Sequence, residues 1–289
     1  MNGPADLRER TDQDAGATER RSERRAAPTR RGRAIWVIVA ALTAFVVVVP
    51  LGVQIWGRMI RRTETTRTAY REHPVTTLEV AAGSASVSVE SGSAGQVTIE
   101  QTLKWALNKP HVERSWKDGT LRLTVVCGSG KRLFSSLECG VDLIVRVPPG
   151  VALRATSTSG TVGALGLTGP LRLQTSSGVV SVERVTGPIW ARSDSGVITG
   201  SGVRSREVDA RSSSGAIGLA FGEPPQSVRA TSSSGAVTLT LPPGSRYQVR
   251  GTSSSGDRQI DPTLKDDTAS RLVDVTTSSG AVTIGHGSD

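Results

Sequence analysis

Residues 227–241 read SVRATSSSGAVTLTL. On either side of the Ser-Ser-Ser-Gly turn, apolar residues (Val228, Ala230, Val237, Leu239) alternate with polar ones. That period of two belongs to a strand, because a helix would space its apolar positions by three and four. The stretch therefore predicts two short strands meeting at Gly235.

The unit recurs along the chain. Its turn glycines are Gly160, Gly178, Gly196, Gly215, Gly235, Gly256 and Gly280, spaced by 18, 18, 19, 20, 21 and 24 residues. Seven residues before each glycine stand Leu153, Leu171, Ile189, Val208, Val228, Val249 and Val273; five before stand Ala155, Leu173, Ala191, Ala210, Ala230, Gly251 and Val275. Two after stand Val162, Val180, Ile198, Ile217, Val237, Arg258 and Val282; four after stand Ala164, Val182, Gly200, Leu219, Leu239, Ile260 and Ile284. A unit of this size cannot bury an apolar face alone and must stack on its neighbours. Residues 151–289 are thus predicted to form a β-solenoid of about seven rungs in an all-β protein.

The turn glycines are expected to take positive φ, which costs them no Cβ clash. Three residues before them stand Ser157, Thr175, Ser193, Ser212, Ser232, Ser253 and Thr277, whose parity puts them on the inward face. At a strand separation of roughly 4.7–4.9 Å their hydroxyls would form a ladder along the corner, bonding backbone groups of the turn. The serine motif is therefore read as a corner that shapes the solenoid.

Ala34 to Gly57, AIWVIVAALTAFVVVVPLGVQIWG, carries no charge. Its 24 residues suffice to cross a hydrocarbon core of about 30 Å, with Trp36 and Trp56 at the two ends. The run is long and flanked by Arg58, Arg61 and Arg62, unlike a cleaved signal peptide, so it is expected to be a single-pass transmembrane helix in the lipid bilayer. Before it, residues 1–33 have almost no large aliphatics and are predicted to be a disordered, basic tail. Seven arginines from Arg20 to Arg33 against five from Arg58 to Arg71 favour a cytoplasmic N-terminus and an extracellular C-terminal domain. Residues 58–74 are read as a polar juxtamembrane linker, and residues 75–150 as an N-terminal β region that caps the first rung, with Trp105 and Trp116. At the far end the insertion DPTLKDDTAS and the polar GDRQ of the sixth turn break the pattern and are read as a guard against end-to-end polymerisation.

The chain has two cysteines, Cys127 and Cys139, each beside an alternating strand with a Gly/Ser-rich loop between. Antiparallel pairing of those strands would bring the Cα atoms within the roughly 4.4–6.8 Å that a disulfide needs, which suits an oxidising exterior. The alternative is two separate buried thiols.

The net charge of +9 does not imply nucleic acid. Residues 1–33 carry nine Arg against six acids, residues 58–72 five against two, and residues 73–289 have 21 basic against 18 acidic residues. The excess thus flanks the apolar run, and the repeats show no basic stripe interleaved with stacking aromatics. His73, His111 and His286 are isolated, no G-x-S-x-G elbow occurs, and GSGK at 128–131 lacks P-loop spacing. Asp194 and Asp257 are too few for repeated calcium cages. No catalytic residue, cofactor or metal, and no small-molecule substrate, is therefore expected. The most pointed outward feature is a row of Arg154, Arg172, Arg229 and Arg250, six residues before their glycines, a candidate face for an anionic cell-wall or surface polymer.

An Arg-rich tail, one span, LEVAAGSASVSVESG, LKWALNKPHVERSWKDGTLRLTVVC, a strand ending VPPG and repeated SSG units follow one another in this chain. Over residues 73–289 this order resembles the putative-adhesin β-strand-repeat family, domains of unknown function in membrane-anchored actinobacterial envelope proteins. The resemblance implies a β-solenoid ectodomain with an adhesin or envelope-associated role, and no catalytic or ligand residues. Expected function is a non-enzymatic adhesin-like or cell-envelope interaction module; the alternative is an envelope-stress sensor signalling across the membrane.

Overall fold

The computed structural model describes residues 39–48, 62–71, 74–105, 109–127 and 140–287. The chain divides into two compact units, Met1–Trp56 and Gly57–Asp289. In the first, residues 39–48 are α-helical, with Leu42, Phe45 and Val48 exposed and the Thr43 hydroxyl donating to the Val39 carbonyl at 2.8 Å. Among the described residues no helix is long and apolar enough to cross a membrane. The remainder of the span expected at 34–57, and the tail 1–33, lie outside the described residues.

The second unit is built from strands. At its N-terminal side are β1 (Arg62–Tyr70), β2 (Thr77–Gly83), β3 (Ser86–Ser91), β4 (Val97–Trp105), β5 (His111–Lys117), β6 (Thr120–Val126) and β7 (Gly140–Val147). The repeats follow as strand pairs: β8 (Ala152–Ser157) with β9 (Val162–Leu165), β10 (Leu171–Thr175) with β11 (Val180–Glu183), and β12 (Ile189–Ser193) with β13 (Ile198–Val203). Next come β14 (Glu207–Ser212) with β15 (Ile217–Phe221), β16 (Ser227–Ser232) with β17 (Val237–Leu241), β18 (Gln248–Ser253) with β19 (Arg258–Ile260), and β20 (Leu272–Thr277) with β21 (Val282–His286). The first strand of every repeat pair lies in one sheet, here sheet B, and the second in the other, sheet A. Within each sheet the repeat strands pair in parallel, like residue beside like: Leu153, Leu171, Ile189, Val208 and Val228 form one row, and Val162, Val180, Ile198, Ile217 and Val237 another.

These rows are buried and make one core between the sheets, which is the predicted solenoid. Each such Val, Leu or Ile contributes roughly 1.5–3 kcal/mol relative to exposure. The hydroxyl ladder is also present. Thr175, Ser193, Ser212, Ser232, Ser253 and Thr277 each accept from the N–H of their own turn glycine at 2.7–3.1 Å. Ser232, Thr277 and Ser253 also donate to the glycine carbonyl of the neighbouring rung, at 3.2, 3.3 and 3.0 Å.

The reason for the glycines differs from expectation. None of the seven has positive φ. They are needed because the turns stack too closely for a side chain. A Cβ on Gly178 would lie 1.9 Å from the carbonyl oxygen of Gly160, one on Gly196 1.6 Å from that of Gly178, and one on Gly215 1.7 Å from that of Gly196.

Both ends of the stack depart from the sequence reading. Residues 62–70, read as linker, are β1, which pairs antiparallel with β4 over its whole length. Its polar, threonine-rich composition suits an outermost strand that buries few side chains; only Thr66, Thr68 and Tyr70 are half-buried. The pair β2–β3 is itself a rung, stacked in parallel on β8 and β9, and β6 and β7 lie parallel to β2 and β3 beyond it. Antiparallel β4 and β1 on sheet A, and β5 on sheet B, then close the end. There the Arg114 guanidinium reaches from β5 to the Tyr70 hydroxyl at 2.8 Å and the Gln101 side-chain oxygen at 3.0 Å, beside a Tyr70–Trp116 ring contact of 5.4 Å.

Cys127 is disulfide-bonded, but not through the antiparallel strand pairing expected from the sequence. The strands flanking the two cysteines, β6 and β7, are in different sheets and do not pair with each other. Cys127 follows β6, whereas Cys139 lies outside the described residues.

At the other end the order of rungs is exchanged. β20 lies between β16 and β18, and β21 between β17 and β19, so the last repeat in sequence is an inner rung and the sixth is outermost. That explains the pattern-breaking residues of the sixth repeat. Gly251 leaves room for Ile260, whose Cδ1 would be 2.6 Å from an added Cβ, and Arg258 folds back to donate to the Gly251 carbonyl at 3.0 Å. The insertion forms a short 3-10 turn, Pro262–Leu264, which buries Leu264; Tyr247 is also fully buried.

Candidate functional site

Alternation that sends one residue into the core sends the next out of sheet B. The register aligns one outward row in the spatial order Arg122, Glu79, Arg154, Arg172, Trp190, Asp209, Arg229, Asp274, Arg250. All four arginines expected on this face are in that row. Arg154 and Arg172 are immediate neighbours, but Asp274 stands between Arg229 and Arg250, because β20 is inserted there. Arg229 Nε is 3.7 Å from Asp274 Oδ2, so the positive charge is partly offset at that end. At the opposite end Arg122 is paired with Glu79 at 2.7 Å.

The middle of the row is different. Half-buried Trp190 stands beside Arg172, whose guanidinium carbon is 4.0 Å from the ring centroid, a cation–π contact. On the far side Asp209 accepts two bonds from Arg211, at 2.8 and 2.7 Å, and this pairing raises the Arg211 guanidinium above its ordinary range. Arg192, two residues beyond Trp190 on the same strand, also faces outward. Arg154, Arg172 and Arg192 have no ion-pair partner among the described residues. Between Arg154 and Arg229 the surface dips into an open groove of about 520 Å³, with Pro170 and Pro188 along one margin.

The arginines were legible in the sequence, but Trp190 and Arg192 were missed. The signal was available: Trp190 occupies the same outward register, six before Gly196, in a chain with only 3% aromatic residues. An indole is expensive to leave on a polar solenoid face.

Of the histidines, exposed His111 lies on β5, 3.6 Å from Glu113, and His286 is in β21, its Nδ1 3.1 Å from the Pro242 carbonyl. His73 and the GSGK segment lie outside the described residues. Among the described residues no cluster of three or more His, Cys, Asp or Glu could hold a metal ion.

No curated protein matches the chain. Solved structures resemble it loosely. A putative adhesin from Bacteroides fragilis NCTC 9343 has a TM-score of 0.41 at 12% identity, covering 78% of this chain and 97% of the other. A putative lipid binding protein from Parabacteroides distasonis ATCC 8503 has 0.41 at 13%, with the same coverage. A putative cell adhesion protein from Clostridium sporogenes ATCC 15579 has 0.39 at 10%, covering 78% and 100%. In sequence, residues 168–285 match the model of the Toastrack DUF4097 family.

Proposed function

We propose that this chain is a non-enzymatic, adhesin-like module of the cell envelope that binds an anionic surface polymer through the outer face of sheet B. One observation carries the reading. Arg154, Arg172 and Arg192 surround an outward tryptophan without internal ion-pair partners, and outward charges of this kind attract a polyanion over about 10 Å at 0.1 M salt. The uncharged run 34–57 would anchor the module as a membrane span, with residues 1–33 cytoplasmic and the solenoid outside.

The test is retention of the full chain, in detergent micelles, on an anionic polysaccharide matrix as salt rises. The expected result is retention at low salt that is lost when Arg154, Arg172, Arg229 and Arg250 are changed to serine. Equal retention of this variant would overturn the reading. Placement is checked separately, by protease treatment of intact cells: the solenoid is expected to be degraded and an N-terminal tag protected.

A further inference from the structure

The groove around Trp190 is not uniformly basic. β12 runs between β10 and β14, so Arg172 stands on one side of Trp190 and Asp209 on the other. Glu207, exposed at the start of β14, adds a second carboxylate on the acidic side, and Arg154 extends the basic side. Neighbouring strands are roughly 4.8 Å apart, so a ligand spanning the groove meets all of these groups at once.

This arrangement discriminates among anions. A linear polyphosphate would gain from the arginines but carry its charge past the exposed Glu207, where like charges repel, Asp209 being already paired with Arg211. A neutral saccharide would use the indole and the carboxylates and leave the unpaired Arg154 without a counter-charge. A saccharide with ring carboxylates matches each element: its C–H face packs on Trp190, its hydroxyls donate to Glu207 and Asp209, and its carboxylate accepts from Arg154 and Arg172. Arg suits that last role because its planar fork matches a carboxylate. The volume, about 520 Å³, is within the usual range for a ligand site.

We infer that this groove binds an acidic oligosaccharide bearing hexuronate units, with Trp190 as the ring platform. The inference rests on the polyanion reading of the face and sharpens it.

The experiment uses the full chain in detergent micelles with three probes: tetragalacturonate, its carboxyl-reduced neutral counterpart, and a linear polyphosphate of matched charge. Binding is followed by calorimetry. Tetragalacturonate is expected to bind. Trp190→Ala and Arg172→Ser should each weaken it at least tenfold, Glu207→Gln about threefold, and Trp190→Phe less than threefold because a ring remains. The neutral counterpart should bind at least tenfold more weakly, and polyphosphate should not compete. All four substitutions face outward, and unchanged thermal unfolding is expected to accompany them. If polyphosphate binds as tightly as tetragalacturonate, or Trp190→Ala has no effect, the inference falls while the polyanion reading stands. If no anionic probe binds, both fall.

Discussion

At the scale of single residues, the turn glycines and the hydroxyls beneath them hold the corner together. Because a Cβ on Gly196 would lie 1.6 Å from the Gly178 carbonyl oxygen, Gly196→Ala must push two rungs apart. Urea unfolding should show a loss of about 3 kcal/mol, at the upper end of overpacking costs. Gly218→Ala is the control: nothing lies within 4 Å of its added methyl, and it should be neutral or slightly stabilising. Equal effects at the two sites would refute the stacking account. Ser193→Ala strands the buried N–H of Gly196, which it now holds at 2.7 Å, and should cost about 1–3 kcal/mol. Ser193→Thr should restore most of this, since threonine fills the same place at Thr175 and Thr277. Burial raises the Tyr247 phenol above its ordinary value of 10.0. The stability tied to its neutral form is complete below that value and is lost as pH climbs through the raised one. Denaturant midpoints should therefore fall more steeply above pH 10.0 for the native chain than for Tyr247→Phe. The need for glycine was visible in the sequence, but its cause was not. Positive φ is a local property of a turn, whereas the clash that forbids a side chain comes from a carbonyl about twenty residues away.

Among the strands, the exchanged order of the last two rungs has direct consequences. A chain ending at Arg271 lacks β20 and β21, so β18 and β19 lose the only ladders they have among the described residues, and the edges of β16 and β17 are bared. Such a truncation should unfold the C-terminal rungs, seen as rapid proteolysis from about residue 242 onward; cleavage confined to the new terminus would contradict the pairing. The insertion between these rungs is braced by two similar turns. Asp261 accepts from Thr263 N and Oγ1 at 2.9 and 2.7 Å, and Asp266 from Thr268 N and Oγ1 at 2.9 and 2.6 Å. The threonine hydroxyls, and then the backbone N–H groups, lower both carboxyl pKa values below the ordinary 3.8. Their contribution is complete above that value and disappears as pH falls through the lowered ones. Carboxyl NMR titration should find both midpoints depressed, and Thr263→Val should return Asp261 towards 3.8 while leaving Asp266 in place. The strands themselves were legible from period-two alternation. Their order was not, because every repeat offers a neighbour nearly the same apolar rows. Gly251 and Arg258 did mark the sixth repeat as unlike the rest, and its place at the end supplies the reason: a rung with one neighbour has no facing row to match.

For the molecule as a whole, the stack and its outward faces followed from the sequence, while the closing of its N-terminal end did not. RTETTRTAY carries too little apolar pattern to announce a strand, and only pairing with β4 makes it one. The candidate site was half legible for a similar reason. A charge row can be counted along one strand register, but the Arg172–Trp190 contact belongs to two adjacent rungs. The lodging of the last repeat between two others also bears on mechanical load. Tension drawn through the C-terminus cannot peel a border strand there. β20 and β21 would have to slide past two parallel neighbours each, rupturing several ladders together, whereas β1 pairs with β4 alone among the described strands. A domain pulled from both ends should therefore yield first at its N-terminal strand and keep the outer face of sheet B intact.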